Sequence, residues 1–213
     1  MRIQTWARVI LVAASVVALA ATTGCGSGES SSFDGAQLAS PIALPPGTFT
    51  DTAGAEYDLK AKAQGHLTLV YFGYTNCPDV CPTTMADIGT ALRSLPAATQ
   101  KDVHVVFITS DPVRDTPAVL KRWLGNFDQN VPNPFVGLNT DVSTVVAYAA
   151  KVGVPIEAPT TNADGTVEVT HGSQVLAFEP DGEANLVWLG GTTPKQYAHD
   201  IALLAKSGNA SAE

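Results

Sequence analysis

The chain has 213 residues, of which 45% are hydrophobic and 15% are charged, a balance typical of a globular domain. Its formal net charge of −8 provides no basic surface for nucleic acid, so we exclude nucleic-acid binding. The three cysteines and four histidines are the residues best suited to redox or metal chemistry.

The first residues predict export. Arg2 and Arg8 precede an uncharged apolar run over residues 9–21. That run has the length of a signal-peptide core and is too short to span a bilayer comfortably. We therefore predict that residues 1–24 are a signal peptide and that the remaining chain lies in an oxidising compartment outside the cytoplasm.

The setting of Cys25 resembles a bacterial lipoprotein signal, in which the cysteine is lipidated and becomes the mature N-terminus. Thr22 stands where that pattern usually has leucine. The resemblance implies a lipid anchor on the outer face of the cytoplasmic membrane, and ordinary signal-peptide cleavage is the alternative. Residues 25–40 are rich in Gly and Ser, so we predict a flexible tether, followed by one domain over residues 41–213.

The domain alternates strand-like and helix-like segments along the chain. The predicted elements of its first half are a hairpin over residues 47–59, a buried strand over 67–74, a helix over 82–95 and a buried strand over 104–111. Those of its second half are a helix capped by Thr116, a strand, a helix capped by Asp141, two strands joined by a turn at Pro180, and a helix from Thr193. This order predicts an α/β thioredoxin-like fold, with a central mixed sheet flanked by helices and an N-terminal β-hairpin.

Two of the three cysteines, Cys77 and Cys81, directly follow the first buried strand, and a proline follows each of them. Because proline disfavours helical backbone angles in the preceding residue, we predict a loop from Cys77 to Cys81 and a helix that begins near Pro82. Cys81 then lies at a helix N-terminus, where the partial positive charge favours the thiolate and a low thiol pKa.

The spacing of this pair is compatible with three kinds of chemistry. Positions four apart on a helix have Cα atoms roughly 6 Å apart, which suits a disulfide. Two thiolates on one metal ion need sulfur atoms roughly 4 Å apart. A structural disulfide, a redox couple and a metal clamp all remain open. The structural disulfide is the weakest explanation, because a loop of about 5 residues gains less than the ~3 kcal/mol expected for about 15.

A third ligand would favour the metal clamp. His171 lies between two β-prone runs and precedes Gly172, which permits an unusual turn. His66, His104 and His199 instead fit positions at the surface, at a strand edge and on a solvated helix face. From the residues alone, His171 is either a metal ligand or a polar residue at the end of a strand.

Four segments together carry a resemblance to a known family. They are YFGYTNCPDVCPTTM (71–85), FITSDPVRDTP (107–117), FVGLNTDVSTVVAYAAKVGV (135–154) and VTHGSQVLAFEPDGE (169–183). In these segments the chain resembles the Sco/SenC family, thioredoxin-fold copper proteins that serve cytochrome c oxidase assembly. The resemblance extends roughly over residues 45–205.

The resemblance implies that Cys77, Cys81 and His171 bind copper, since thiolates favour Cu(I) and imidazole also accommodates Cu(II). Asp111 follows the second buried strand and is a candidate to orient one of the metal ligands without binding the metal itself. The alternative is that Asp111 caps the following helix. We expect Arg114 to pair with the adjacent Asp115. The implied partners are cytochrome c oxidase subunit II and a thiol reductant protein.

Two functions from different classes remain open at this stage. A copper metallochaperone would hold copper on the reduced cysteines and deliver it to the dinuclear copper site of subunit II. A thiol–disulfide oxidoreductase would instead use Cys77 and Cys81 as a catalytic redox pair on the copper-ligand cysteines of subunit II. A peroxidase is disfavoured, because the Pro-x-x-x-Thr-x-x-Cys motif is absent before Cys77. His171 separates the first two functions, since a reductase does not need an imidazole at this site.

Overall fold

The computed structural model describes residues 32–210 of the chain. The predicted signal peptide, Cys25 and the first part of the predicted tether lie outside these residues. Between residues 32 and 210, no helix is both long enough and apolar enough to cross a membrane.

A mixed sheet of eight strands forms the centre of the domain, and a separate two-stranded hairpin lies outside it. The strands of the described chain are β1 (Ala36–Ala43), β2 (Thr48–Asp51), β3 (Glu56–Asp58), β4 (Leu67–Gly73), β5 (Val103–Thr109), β6 (Val136–Asn139), β7 (Thr160–Thr161), β8 (Val167–Glu168), β9 (Val175–Phe178) and β10 (Glu183–Trp188). The order in the large sheet is β1-β10-β9-β4-β5-β6-β2-β3, and β7 pairs with β8. Strand β4 is parallel to β5 and antiparallel to β9.

Helices cover both faces of this sheet. They are α1 (Leu59–Ala63), α2 (Val80–Ser94), α3 (Ala97–Asp102), α4 (Pro117–Leu124), α5 (Val142–Lys151) and α6 (Pro194–Ala210). The side chains of Thr116 and Asp141 accept hydrogen bonds from the first turns of α4 and α5, as predicted. The central mixed sheet, its flanking helices and the β2–β3 hairpin confirm the predicted fold class.

The apolar run of β4 is explained by burial on both faces. Leu69 and Tyr71 pack on the side of α2 and α6, whereas Val70 and Phe72 pack on the side of α5. Because successive side chains of a strand point to opposite faces, a strand with two buried faces needs an apolar residue at every position. This burial holds the carboxyl end of β4, where the cysteine loop begins, firmly in the core.

The tether is shorter than the sequence predicts. Strand β1 begins at Ala36 and pairs antiparallel with β10, so that residues 36–40 belong to the sheet. Most side chains of β1 are exposed, so its sequence lacks the continuous apolar run that predicts a buried strand. Just before it, the backbone N–H groups of Asp34 and Gly35 donate to the buried carboxylate of Asp200. Backbone pairing and this carboxylate hold the segment in place, and the partly buried side chains of Phe33 and Ile42 add contacts to the core.

Helix α2 begins earlier than predicted. It starts at Val80, so Cys81 lies in its first turn and Pro82 is its third residue. The first four N–H groups of a helix have no partner within the helix, and proline at the third position therefore removes no hydrogen bond. The backbone N–H of Cys81 points instead at the sulfur of Cys77, 3.4 Å away. The predicted loop is correspondingly shorter, and Cys81 lies at the helix N-terminus as predicted.

Candidate metal centre

Three segments meet at the carboxyl end of β4. Cys77 lies in the loop that follows β4, Cys81 in the first turn of α2, and His171 just before β9. Because β9 runs antiparallel to β4, with Val175 opposite Tyr71, the start of β9 lies at the same edge as the end of β4. The topology thereby brings His171 next to a cysteine pair that is 90 residues or more away in sequence.

The three predicted ligand atoms converge. His171 Nε2 lies 3.4 Å from Cys81 Sγ and 3.8 Å from Cys77 Sγ, and all three atoms lie within 4.8 Å of one another. A metal ion binds sulfur at about 2.3 Å and nitrogen at about 2.0 Å, with a sulfur–metal–nitrogen angle of roughly 110–120°. In such a site the sulfur and nitrogen atoms are about 3.5–3.8 Å apart, as they are here. The cysteines are free thiols rather than a disulfide. This arrangement can hold one soft or borderline metal ion.

The orientation of His171 leaves the correct nitrogen available. Its Nδ1 lies 2.8 Å from the carbonyl oxygen of Gly172. A carbonyl can only accept, so Nδ1 carries the proton and donates to it. In the neutral imidazole, Nε2 then has a free lone pair, and this is the atom that faces the two sulfurs. Such a backbone contact fixes both the tautomer and the ring direction of a metal-binding histidine.

The surroundings of the centre are aromatic and close-packed. The hydroxyl of Tyr71 donates to Cys81 Sγ at 3.5 Å, and the ring of Tyr74 lies edge-on to His171 with centroids 5.4 Å apart. At Gly73 a Cβ atom would lie 2.7 Å from Cys81 Sγ and 3.0 Å from Phe107, so only glycine fits there without a shift. The backbone of β4 therefore approaches the sulfur directly and limits its position.

The electrostatics of Cys81 differ from the prediction. Its side chain is fully buried, and burial raises the pKa of the thiol to about 12, although hydrogen bonds that the Tyr71 hydroxyl and the Tyr74 backbone N–H donate to the sulfur oppose the rise. The partial positive charge of the helix N-terminus is outweighed, because an uncompensated thiolate in the core loses its hydration. In the metal-free protein Cys81 is therefore a neutral thiol at pH 7, and a metal ion must displace its proton.

This buried thiol predicts lower stability of the metal-free reduced protein at alkaline pH. The unfolded chain releases the Cys81 proton near pH 9, whereas the folded chain retains it up to about pH 12. Between these values the unfolded state binds fewer protons, so the free energy of unfolding falls as pH rises. Cys81 alone should cost about 1 kcal/mol by pH 10.

The measurement is urea denaturation between pH 7 and 10, with Cys81→Ser as the comparison. Burial also raises the pKa values of Tyr148 and Tyr197, which act in the same direction in both proteins. The variant should lose less stability than the wild type over this range, since serine does not titrate. Parallel pH profiles for the two proteins would contradict the assignment.

Two acidic residues behind the centre have partners that differ from the prediction. Asp111 forms an ion pair with Arg114, so the predicted pair of Arg114 with Asp115 is wrong, and Asp111 makes no hydrogen bond to the three ligands. Asp115 is fully buried and accepts from Thr75 N at 2.9 Å, Thr75 Oγ1 at 2.5 Å and Thr109 Oγ1 at 2.7 Å.

Asp115 is the positioning residue that sequence reasoning missed. It ties the cysteine loop, through Thr75, to the end of β5, through Thr109. The sequence contained one indication of this role. Thr75 follows β4 and Thr109 ends β5, so both threonines bring hydroxyl donors to the same edge of the sheet. Such donors need an acceptor nearby if they are buried, and Asp115 provides it.

The other three histidines lie away from the centre. His66 and His104 stack on each other with ring centroids 4.1 Å apart. His199 is not a solvated helix residue as predicted, because its Nδ1 lies 2.9 Å from Asp200 and 3.3 Å from Asp34. Asp34, His199 and Asp200 also bring potential metal-ligand atoms close together. The carboxylate of Asp200, however, already accepts hydrogen bonds from the Trp188 indole and from two backbone N–H groups.

Comparison with known proteins agrees with this geometry. The SCO1/SenC family model matches residues 40–206. The chain is 30% identical to the copper-bound structure of Bradyrhizobium japonicum ScoI, with a TM-score of 0.65, covering 76% of this chain and 99% of that one. It is 28% identical to the copper-bound structure of yeast Sco1, with a TM-score of 0.70, covering 78% of this chain and 90% of that one.

A comparison of sequences gives the same family. The mitochondrial SCO1 protein of Saccharomyces cerevisiae is 31% identical over 134 residues, which are 62% of this chain and 44% of the yeast protein. The matched stretch thus spans between 32% and 56% of the length of these curated relatives. Because the family model covers most of the described domain, the resemblance predicted from four short segments is confirmed. The chain belongs to the SCO1/SenC family.

Proposed function

We propose that this protein is an exported copper metallochaperone. It would bind copper through Cys77 Sγ, Cys81 Sγ and His171 Nε2 and deliver it to the dinuclear copper site of cytochrome c oxidase subunit II. The observation that carries the proposal is the convergence of two thiol sulfurs and one unprotonated imidazole nitrogen within 4.8 Å. The copper-bound structures of its relatives from B. japonicum and yeast support copper as the cargo.

The donor set fits this cargo. Two thiolates favour Cu(I), and the imidazole also accommodates Cu(II). Burial of the sulfurs, with Cys81 at 0% and Cys77 at 9% exposure, protects the bound ion from water and from competing ligands. His171 is only half-buried, so an incoming ligand of the acceptor would reach the ion from the histidine side and replace the imidazole first.

Oxidation of the pair would control loading. Forming a Cys77–Cys81 disulfide removes two electrons and two protons from the thiols, which requires an oxidant, and it abolishes both sulfur ligands. A thiol reductant protein would return the pair to the copper-binding form. We further propose a lipid anchor at Cys25 that holds the domain at the outer face of the cytoplasmic membrane, as the N-terminal sequence pattern suggests.

One observation favours a second function, a thiol–disulfide oxidoreductase acting on subunit II. The backbone N–H of Cys81, at the N-terminus of α2, donates to Cys77 Sγ at 3.4 Å. A hydrogen bond of this kind stabilises negative charge on the sulfur, as an attacking thiolate requires. In this alternative Cys77 is the nucleophile, Cys81 resolves the mixed disulfide, and His171 has no necessary role.

The two functions are separated by His171→Ala, measured in two assays on the same samples. One follows Cu(I) transfer from the loaded protein to the metal-free copper domain of subunit II, and the other follows reduction of the disulfide form of that domain. The metallochaperone predicts that the variant loses copper transfer by about 10-fold or more but keeps disulfide reduction within about twofold. His66→Ala, at the opposite edge of the sheet, is the matched control. Unchanged copper transfer in His171→Ala would favour the reductase.

A further inference from the structure

Exposed apolar side chains lie at the edge of the sheet that carries the metal centre. In the described part of the chain, three large apolar residues are exposed: Val80 by 39%, Val113 by 79% and Leu189 by 56%. They follow β4, β5 and β10, respectively, and these strands run in the same direction, because β5 is parallel to β4 and β9 is antiparallel to both β4 and β10. All three residues therefore lie at the edge that carries the cysteines.

A cavity of about 340 Å³ opens at the same edge. The loop after β5 lines it with Asp111, Val113 and Arg114, and the β7–β8 hairpin lines it with Thr161 and Val167. This loop is attached to the metal centre, because the residue after Arg114 is the aspartate that binds the cysteine loop. The cavity thus has apolar walls, a single paired cation and a direct connection to the cysteine loop.

Arg114 has hydrogen-bonding capacity left to offer. Its Nε donates to Asp111, but its Nη2 is covered from water and has no acceptor among residues 32–210. A covered donor without a partner has lost its hydrogen bond to water, so an acceptor that reaches it is stabilised. The side chain is 33% exposed, which allows the guanidinium to turn toward the cavity that it lines. Its paired N–H groups match both oxygens of a carboxylate.

We propose that this cavity and the exposed residues Val80, Val113 and Leu189 dock an extended segment of the copper acceptor in which a carboxylate side chain is flanked by apolar side chains. The inference rests on the proposed function and names the chemistry of its partner. The chain has a net charge of −8, so most of its surface repels an acidic segment. A carboxylate that reaches Arg114 would instead form a hydrogen-bonded ion pair, and this would direct the segment to the cavity. Docking there would bring the ligands of the acceptor to the half-buried side of His171.

The test uses two peptides, acetyl-Val-Glu-Val-amide and its glutamine counterpart, titrated into the metal-free protein and followed by backbone amide NMR. The glutamate peptide should shift the resonances of Val113, Arg114 and Val167 and bind about 10-fold more tightly than the glutamine peptide. Equal affinity of the two peptides would overturn the proposal. Acetate that binds as tightly as the glutamate peptide would also overturn it, since the cavity would then be a site for small anions.

Variants assign the effect to the cavity. Arg114→Gln should abolish the preference for glutamate, but it leaves the buried Asp111 without its cation and can unfold the protein. Thr161→Asp avoids this problem, because Thr161 is exposed at the cavity and does not contact the ion pair. The added carboxylate should reduce the preference to less than about twofold. Gln64→Glu, at an exposed position just before β4 and thus at the opposite edge of the sheet, makes the same change of charge and should leave the preference intact.

Copper measurements keep this proposal distinct from the proposed function. Thr161→Asp should retain the copper affinity of the wild type and slow transfer to subunit II by about 10-fold. Transfer at the wild-type rate would overturn the docking proposal and leave the metallochaperone intact. Failure of the wild type to bind copper would reject the metallochaperone, whereas the peptide titrations, made without metal, would still decide whether the cavity accepts a carboxylate.

Discussion

Replacing Cys81 with serine is expected to weaken copper binding by roughly 100- to 1,000-fold. Structural zinc sites with four ligands bind their metal with about 10–16 kcal/mol, so we take about 3 kcal/mol as the contribution of one ligand. A serine hydroxyl does not ionise at pH 7 and is a hard oxygen donor that Cu(I) disfavours. The affinity is measured by competition between the reduced protein and a chromogenic Cu(I) chelator.

Met85→Leu is the matched control for Cys81→Ser. Met85 is a fully buried sulfur residue one turn further along α2, and it packs in the same core cluster as Cys81. The change conserves volume and should cost less than about 1.5 kcal/mol of stability, while copper binding remains that of the wild type. An equal loss of copper affinity in both variants would show that general disturbance of α2, rather than loss of a ligand, is responsible.

Replacing Asp115 with alanine is expected to lower the free energy of unfolding by about 2–4 kcal/mol and copper affinity by about 10- to 100-fold. The change leaves three donors, the hydroxyl of Thr109 and both donors of Thr75, without their acceptor in a buried region. The cysteine loop is thereby released from β5, so Cys77 is no longer held opposite His171. Urea denaturation measures the first effect and chelator competition measures the second.

Asp128→Ala separates positioning from general stability. The carboxylate of Asp128 accepts the backbone N–H of Phe135 just before β6, at the edge of the sheet opposite the metal centre. This variant should lose some stability and keep the copper affinity of the wild type. If folded Asp115→Ala binds copper as tightly as the wild type, Asp115 has a structural role only.

The sequence predicted much of this protein because many of its signals are local. The helices after Thr116 and Asp141 begin at side chains that bond to their own first turn. The strands β4 and β5 are apolar at almost every position because both of their faces are buried. Cys77 and Cys81 are close in space because they are close in sequence, so the possibility of paired sulfur chemistry followed from spacing alone.

Other features of the metal centre are not local. The residues left the role of His171 open, and the resemblance to a family suggested it. The antiparallel pairing of β9 with β4 then brings its Nε2 within 3.4 Å of a sulfur. Strand β1 lies at the edge of the sheet with most of its side chains exposed, so its sequence lacks the continuous apolar run that marks β4. Asp115 accepts hydrogen bonds from Thr75 and Thr109 and does not pair with the adjacent Arg114. These partners follow from the side chains that come together where β4 and β5 end.

By itself, then, the sequence determined the order of the central strands and their main helices, the starts of α4 and α5 and the presence of a dithiol, because each depends on neighbours within a few residues. The tertiary structure alone decided the partners of the acidic residues and the protonation of Cys81. A helix N-terminus predicted a thiolate, but burial between β4 and the core raises the pKa of this thiol to about 12. Desolvation is a property of everything packed around a group, and most of what surrounds Cys81 lies far from it in the chain.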